Sequence, residues 1–196
     1  MIAIKFFEQP ARLLNWFYSL THDYILSIAM IALVVMLVTA PLVLKSTKGM
    51  LEMQKLQPER LVCAVGAQAA AERCLEITVE YAKERRLFGK PLSKFQNTQF
   101  VLAELAAEIA VGRSFVDNLI RAHMEGKSVM SETCMAKFWV TEMAKRVADR
   151  CLQIFGGYGY CAEYLISRFY VDARIQTIYA GTSEVMKMII ARFMGL

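Results

Sequence analysis

Four short motifs carry most of the residue types that could bind a ligand: Glu84-Arg85-Arg86-Leu87-Phe88-Gly89-Lys90-Pro91, Gln153-Ile154-Phe155-Gly156-Gly157-Tyr158-Gly159-Tyr160, Asp172-Ala173-Arg174, and Ile178-Tyr179-Ala180-Gly181-Thr182-Ser183-Glu184-Val185. Gly156 and Gly157 remove side chains where backbone would have to approach a ligand, and Gln153 can hydrogen-bond one. Thr182 and Ser183 suit the start of a helix, where hydroxyls and free N–H groups favour a phosphate or another anion. Each motif alone is equally explained by capping and turn formation without a ligand. A carboxylate follows proline in Pro58-Glu59, where it would favour the positive end of a helix dipole.

Other chemistries find little support. With only His22 and His123, neither a histidine-rich metal site nor a histidine-based triad can be assembled, and no metal site is expected. The five cysteines, Cys63, Cys74, Cys134, Cys151 and Cys161, contain no C-x-x-C pair and read as reduced packing residues. The net charge is +5, but the basic residues are spread along helical patterns, so no nucleic-acid partner is expected.

The elements that must position these motifs read as helices. Leu61, Val65, Ala69, Leu75, Val79 and Ala82 recur at helical spacing until Gly89 and Pro91 stop the pattern. Leu102, Leu105, Ile109, Val116 and Leu119 mark a second helix ending near Gly126; Met135, Trp139, Met143 and Val147 mark a third ending at Gly156. A shorter stretch through Tyr170 and Ile178 leads to a last helix with Val185, Ile189, Ile190 and Phe193. No alternating strand pattern or hairpin turn competes, which predicts an all-α, up-and-down bundle of about four helices.

Upstream, Ile25 to Leu44 runs twenty residues without a charge, enough to cross a bilayer core of about 30 Å. Lys45, Lys48, Lys55 and Arg60 follow it closely, so the positive-inside rule predicts a single-pass membrane protein whose C-terminal bundle is cytoplasmic. The domain plan is therefore an interfacial segment over 1–24, a transmembrane helix over 25–44, a cytoplasmic linker over 45–57 and the bundle over 58–196.

Taken in series, the four motifs resemble the C-terminal helical domain of FAD-dependent acyl-CoA dehydrogenases, over about residues 56–196. The resemblance implies α,β-dehydrogenation of an acyl-CoA thioester, FAD as cofactor, and an electron-transfer flavoprotein as acceptor. It also implies a homo-oligomer through the bundle, with FAD held across the interface. Arg85 would neutralise the pyrophosphate, Phe88 would pack against the cofactor, and Gln153, Gly156, Gly157, Thr182, Ser183 and Glu184 would complete the contacts. Many members carry the catalytic glutamate just before the Gly-Thr of the late loop, where Ala180 stands here; others carry it in a Glu-Arg-Leu sequence opening the first bundle helix. Glu59-Arg60-Leu61 matches the second arrangement, which makes Glu59 the candidate general base and Arg60 a supporting charge. The N-terminal helical and central β-domains of that family have no counterpart here, so the chain reads as incomplete as an enzyme on its own.

The first 58 residues carry a resemblance of their own. Pro41 to Met50, followed by Met53-Gln54-Lys55-Leu56-Gln57-Pro58-Glu59, is similar to the first core transmembrane helix of a YidC-type membrane protein insertase. Three alternatives to the enzyme reading stay open: an insertase fragment, a membrane-anchored interaction module, and a chimeric reading frame with no function of its own.

Overall fold

The computed structural model describes residues 56–196 and scattered positions between 16 and 41. The chain divides after Gln54 into two units, and the second holds the bundle. Helix α1 spans Gln57–Glu84, with proline in its first turn, Glu59 at its positive end and Lys83 at its negative end. A two-residue antiparallel ribbon follows, β1 (Arg86–Leu87) and β2 (Lys90–Pro91), paired Arg86 to Pro91 and Leu87 to Lys90. After a 3₁₀ turn at Leu92–Lys94 come α2 (Gln96–Met124), α3 (Met130–Phe155), the single turn α4 (Gly157–Tyr160), α5 (Leu165–Gln176) and α6 (Ser183–Phe193).

The four main helices alternate in direction, as the pattern predicts. Arg60 of α1 meets Met130 and Cys134 at the start of α3, while Tyr81 stacks on Phe155 at the end of both, so α1 and α3 run parallel. Ion pairs Glu104 to Arg150 and Glu108 to Arg146 show α2 descending along α3. Helix α5 descends too, from Tyr164 beside Phe155 to Gln176, whose carbonyl accepts from Cys63. Helix α3 is the central member, burying Val140, Met143, Ala144, Val147, Ala148 and Cys151.

The face of α1 turned to the core differs from the aliphatic stripe expected. Leu61 and Ala82 are buried as the spacing predicts, but so are Ala64, Ala67, Ala71 and Cys74, whereas Val65, Leu75 and Val79 are half-buried and Ala69 is exposed. Small side chains let two helix axes approach closely, and the larger aliphatics then fill the flanks of the contact. Likewise, α6 buries Ser183, Met186 and Ile189 and leaves Val185 and Phe193 exposed, and Met135 on α3 is exposed.

The β1–β2 ribbon corrects the expectation of no hairpin. Its turn places Phe88 at φ +48° and Gly89 at φ +80°, the two successive left-handed residues that a two-residue hairpin needs. Flanking strands of two residues leave no alternating pattern to read.

Among the described residues no helix is long and apolar enough to cross a membrane. The proposed span over 25–44 falls largely outside the described residues, as do the interfacial segment, the linker and nearly all of the insertase-like stretch. The described positions Ile25, Leu26, Ile28 and Met36 are helical and exposed.

Candidate functional site: a glycine-lined cleft and an opposite loop

The candidate residues fall into two groups at opposite ends of the bundle. Glu59 and Arg85 stand at the two ends of the 28-residue α1, which is about 42 Å long at the standard helical rise. One end gathers Arg85, Gln153, Gly156 and Gly157 around a cleft of about 850 Å³, completed by Asn97 and Arg150. The other brings the first turn of α1 against the loop before α6.

At the cleft, aromatic packing fixes the backbone that carries the glycines. Tyr81 stacks on Phe155 with ring centroids 4.0 Å apart, and its hydroxyl donates to the Phe155 carbonyl at 3.4 Å. Tyr164 meets Phe155 edge-on at 6.1 Å and Tyr158 at 5.4 Å. The chain then turns at Gly156, whose φ of +61° and ψ of −138° lie in a region open essentially to glycine alone.

The glycines separate by what a side chain would meet. At Gly159 an added Cβ would lie 2.7 Å from the Leu152 carbonyl oxygen, so that glycine serves helix packing. At Gly156 and Gly157 nothing lies within 4 Å, and both line the cleft. The space a side chain would take at these two positions is therefore open, and the turn is a cradle on the cleft wall. The Arg85 guanidinium sits 5.1 Å over the Tyr158 ring, an arrangement that leaves its in-plane N–H donors available to a planar or tetrahedral oxyanion. Arg85, the side-chain amides of Asn97 and Gln153 and a side-chain-free turn form a donor set that fits a pyrophosphate, beside an Arg150 already paired to Glu104 and the carboxylate of Asp149 in the same lining.

Phe88 departs from its expected place. It is 94% exposed at the hairpin tip and does not line the cleft, whereas Leu87 does. In Asp172-Ala173-Arg174, Ala173 is buried against the core and Arg174 donates to the Thr177 hydroxyl at 2.6 Å.

At the opposite end Glu59 is exposed on the first turn of α1 and makes no ion pair among the described residues. Its neighbour Arg60 is only 3% exposed. The Arg60 Nε donates to the Ala180 carbonyl at 3.4 Å, and its Nη1 reaches Met130 Sδ at 3.9 Å and Cys134 Sγ at 3.8 Å. Residue 180 and the Glu59 turn are thus brought side by side from 120 residues apart in sequence. Ala180 at φ +55° and Gly181 at φ +100° are successive left-handed residues, and the alanine costs about 1–2 kcal/mol to hold there. An added Cβ at Gly181 would also come within 2.6 Å of Met186 Cε.

Thr182 caps α6, its Oγ1 accepting from the Val185 N–H at 3.4 Å. Ser183 is buried and its hydroxyl donates to Glu142 Oε1 at 2.8 Å, so it serves the fold and faces no open surface. Glu184 is exposed, with its carboxyl held below the ordinary range by its own backbone N–H and the Thr182 hydroxyl. Burial pushes the Cys63 thiol up against the opposing pull of Lys137, and burial likewise raises its partner Tyr179 to about 12.

Lys137 is the residue at this end that pattern reading misses. It is fully buried, its ammonium donates to the Gly181 carbonyl at 2.5 Å, and burial lowers its pKa. The signal available was a lone cation in the apolar face of α3, in line with Met130, Cys134, Thr141 and Ala144. Asn97 and Arg150 were missed because their helix faces only become adjacent on folding.

Fold and site together define an all-α domain with a cationic, glycine-lined cleft at one end and a strained loop beside an exposed carboxylate at the other. The chain belongs to the acyl-CoA dehydrogenase family: the acyl-CoA dehydrogenase C-terminal domain matches residues 49–195. That match begins inside the stretch assigned to a linker. A mitochondrial long-chain specific acyl-CoA dehydrogenase of Sus scrofa is 46% identical over 140 residues, 71% of this chain and 33% of that protein. A subunit of a caffeyl-CoA reductase-Etf complex of Acetobacterium woodii is 37% identical over 139 residues, 71% of this chain and 37% of its own length. The crystal structure of an acyl-CoA dehydrogenase from Geobacillus kaustophilus superposes with a TM-score of 0.72 at 56% identity, covering 74% of this chain and 38% of that one. The chain therefore spans little more than a third of the relatives it matches.

Proposed function

We propose that this chain supplies the C-terminal part of an FAD-dependent acyl-CoA dehydrogenase, with Glu59 as the base that removes the α-proton of an acyl-CoA thioester. The observation that carries the reading is the Arg60 contact to the Ala180 carbonyl. In the family the resemblance describes two alternative places for the base, and here they adjoin in space, one holding glutamate and the other alanine. A carboxylate on the first turn of α1 can therefore reach the same reacting atom as one at residue 180.

In the reaction the Cα–H bond breaks with its proton passing to a Glu59 carboxylate oxygen, the β-hydrogen leaves with its electron pair, and the Cα–Cβ double bond forms. FAD, when bound, supplies the hydride acceptor. Arg85, Gln153, Gly156 and Gly157 would hold its pyrophosphate, Thr182 and Glu184 at the start of α6 would contact it from a second copy of the bundle, and Phe88, exposed at the hairpin tip and outside the cleft, would pack against it only across such an interface. The length of α1 separates these groups, so one chain does not serve both ends of one cofactor, and a homo-oligomer is required to complete the site.

An electron-transfer flavoprotein is the electron acceptor, as the resemblance implies. Residues 25–44 anchor the chain in a membrane with the bundle on the cytoplasmic side, a reading supported by the uncharged run and the cations after it.

The test is Glu59→Gln in the full chain, co-expressed with the upstream two thirds of a relative. The variant retains flavin and loses at least about 10³-fold in turnover, since a neutral amide cannot take up the α-proton. Unchanged turnover refutes the base assignment, and flavin lost together with turnover refutes the separation of base from cofactor site. Alkaline carbonate extraction tests the anchor: release into the soluble fraction contradicts it.

A further inference from the structure

Arg60 and Lys137 reach the loop before α6 from different helices and take its two successive carbonyls, Ala180 and Gly181. Neither cation has a carboxylate partner among the described residues; the sulfurs of Met130 and Cys134 are the remaining contacts of Arg60 and are weak acceptors. Of the two carboxylates whose charge is felt at Lys137, Glu142 and Glu184, neither forms an ion pair with it, and Glu142 is already engaged by the Ser183 hydroxyl and by Lys145 at 3.8 Å. A fully buried ammonium without a counter-charge is an expensive choice for filling space that methionine could fill, unless its donor has a task. The one task visible is the 2.5 Å bond to Gly181.

We propose that Lys137 is a positioning residue, whose ammonium holds the Gly181 carbonyl and so locks the left-handed pair Ala180–Gly181 that sets residue 180 beside the Glu59 turn and starts α6 at Thr182. Lys137 touches no reacting atom in this scheme; it acts through the loop. The inference rests on the reading of that end of the bundle as catalytic, but its test does not use turnover. The loop can be locked by Lys137 whether or not Glu59 is the base, and failure of Glu59→Gln leaves the exchange result standing.

The first experiment uses the unaltered full chain with ¹⁵N-labelled lysine and glycine ¹³C-labelled at the carbonyl. A Lys137 side-chain nitrogen signal in slow exchange with water and scalar-coupled across the hydrogen bond to the Gly181 carbonyl carbon supports the lock; a signal averaged with the surface lysines overturns it. The second compares Lys137→Met and Lys137→Ala by amide hydrogen exchange. In Lys137→Met the amides of 181–186 exchange at least about tenfold faster while those of 140–148 keep their protection, because the apolar volume is kept and only the donor is lost. In Lys137→Ala, propylammonium restores the protection and propanol does not, which separates a donor from mere packing. Unchanged exchange in Lys137→Met, or equal rescue by propanol, makes Lys137 a space-filler and refutes the proposal.

Discussion

Gly112 sits where three helices meet, and replacing it with alanine tests the packing that holds both ends of the bundle in register. In the middle of a 29-residue helix the substitution should stabilise, by about 1 kcal/mol on propensity alone. The structure opposes that gain. The new Cβ would lie 2.4 Å from Gln68 Oε1, 3.1 Å from Met143 Cε and 3.3 Å from Trp139 Cζ3. The methionine can give way, but the glutamine cannot do so freely. Its Nε2 donates to the Ile109 carbonyl at 2.9 Å and to Glu72 Oε1 at 2.8 Å, and Glu72 is forked by Arg113. Its Oε1 is buried with no hydrogen-bond partner. Displacing the amide forfeits two hydrogen bonds, about 1 kcal/mol each, and strains the remaining contacts by an overpacking cost of about 1–3 kcal/mol. Set against the propensity gain, Gly112→Ala is expected to destabilise by about 2–4 kcal/mol, read as a lower urea midpoint by circular dichroism with an unchanged slope. Adding Gln68→Ala to Gly112→Ala should recover at least about 1 kcal/mol relative to the sum of the single changes. A Gly112→Ala protein as stable as the parent, or a strictly additive double variant, would show that the Gln68 amide is free to move and that the account of this contact is wrong.

Four further outcomes follow from the same structure. Gly157→Val leaves stability within about 0.5 kcal/mol, since its Cβ meets nothing within 4 Å, yet lowers flavin retention, whereas Gly159→Ala unfolds at lower urea because of its clash with Leu152; equal flavin retention in Gly157→Val and the parent would contradict the cradle. Thr182→Ala costs about 1 kcal/mol in urea denaturation through the lost cap on Val185, and a change below about 0.3 kcal/mol would show the cap to be idle. Leu105→Ala, at a fully buried position, costs about 3–5 kcal/mol by cavity formation, and a smaller loss would mean that α2 collapses into the gap. Burial raises the thiols of Cys74 and Cys151 above their ordinary 9.0, so their contribution to stability is complete below that pH and is lost as pH rises through 9 towards the folded value; near pH 10 Cys74 costs about 1.4 kcal/mol, and Cys74→Ala should flatten the fall in melting temperature between pH 8 and pH 10.

Long helices are legible because their stop signals are chemical: Pro58 opens α1, Gly126 and Gly156 close α2 and α3, and Thr182 caps α6 where the hydroxyl pattern places it. The cleft is half legible for the same reason, since glycines and Arg85 announce themselves while Asn97 and Arg150 are ordinary helix-face residues until α2 and α3 pack side by side. Which face of α1 is buried was not legible, because alanine and cysteine in the interior depend on how closely α3 approaches, a tertiary quantity with no local signature. The hairpin escaped because two-residue strands have no periodicity. Lys137 escaped because a lysine within an apolar stripe looks like an interruption until its carbonyl partner arrives from 44 residues away.

The central claim is that the cleft between the ends of α1 and α3 is made for the pyrophosphate of a flavin dinucleotide. Titrating FAD into the purified full chain, followed by quenching of flavin fluorescence, tests it most directly, with Arg85→Ala as the comparison. The account predicts saturable quenching by the parent chain and affinity at least about tenfold weaker for Arg85→Ala, from the loss of a charge-assisted fork. Quenching that never saturates, or saturation that ignores Arg85, would contradict it.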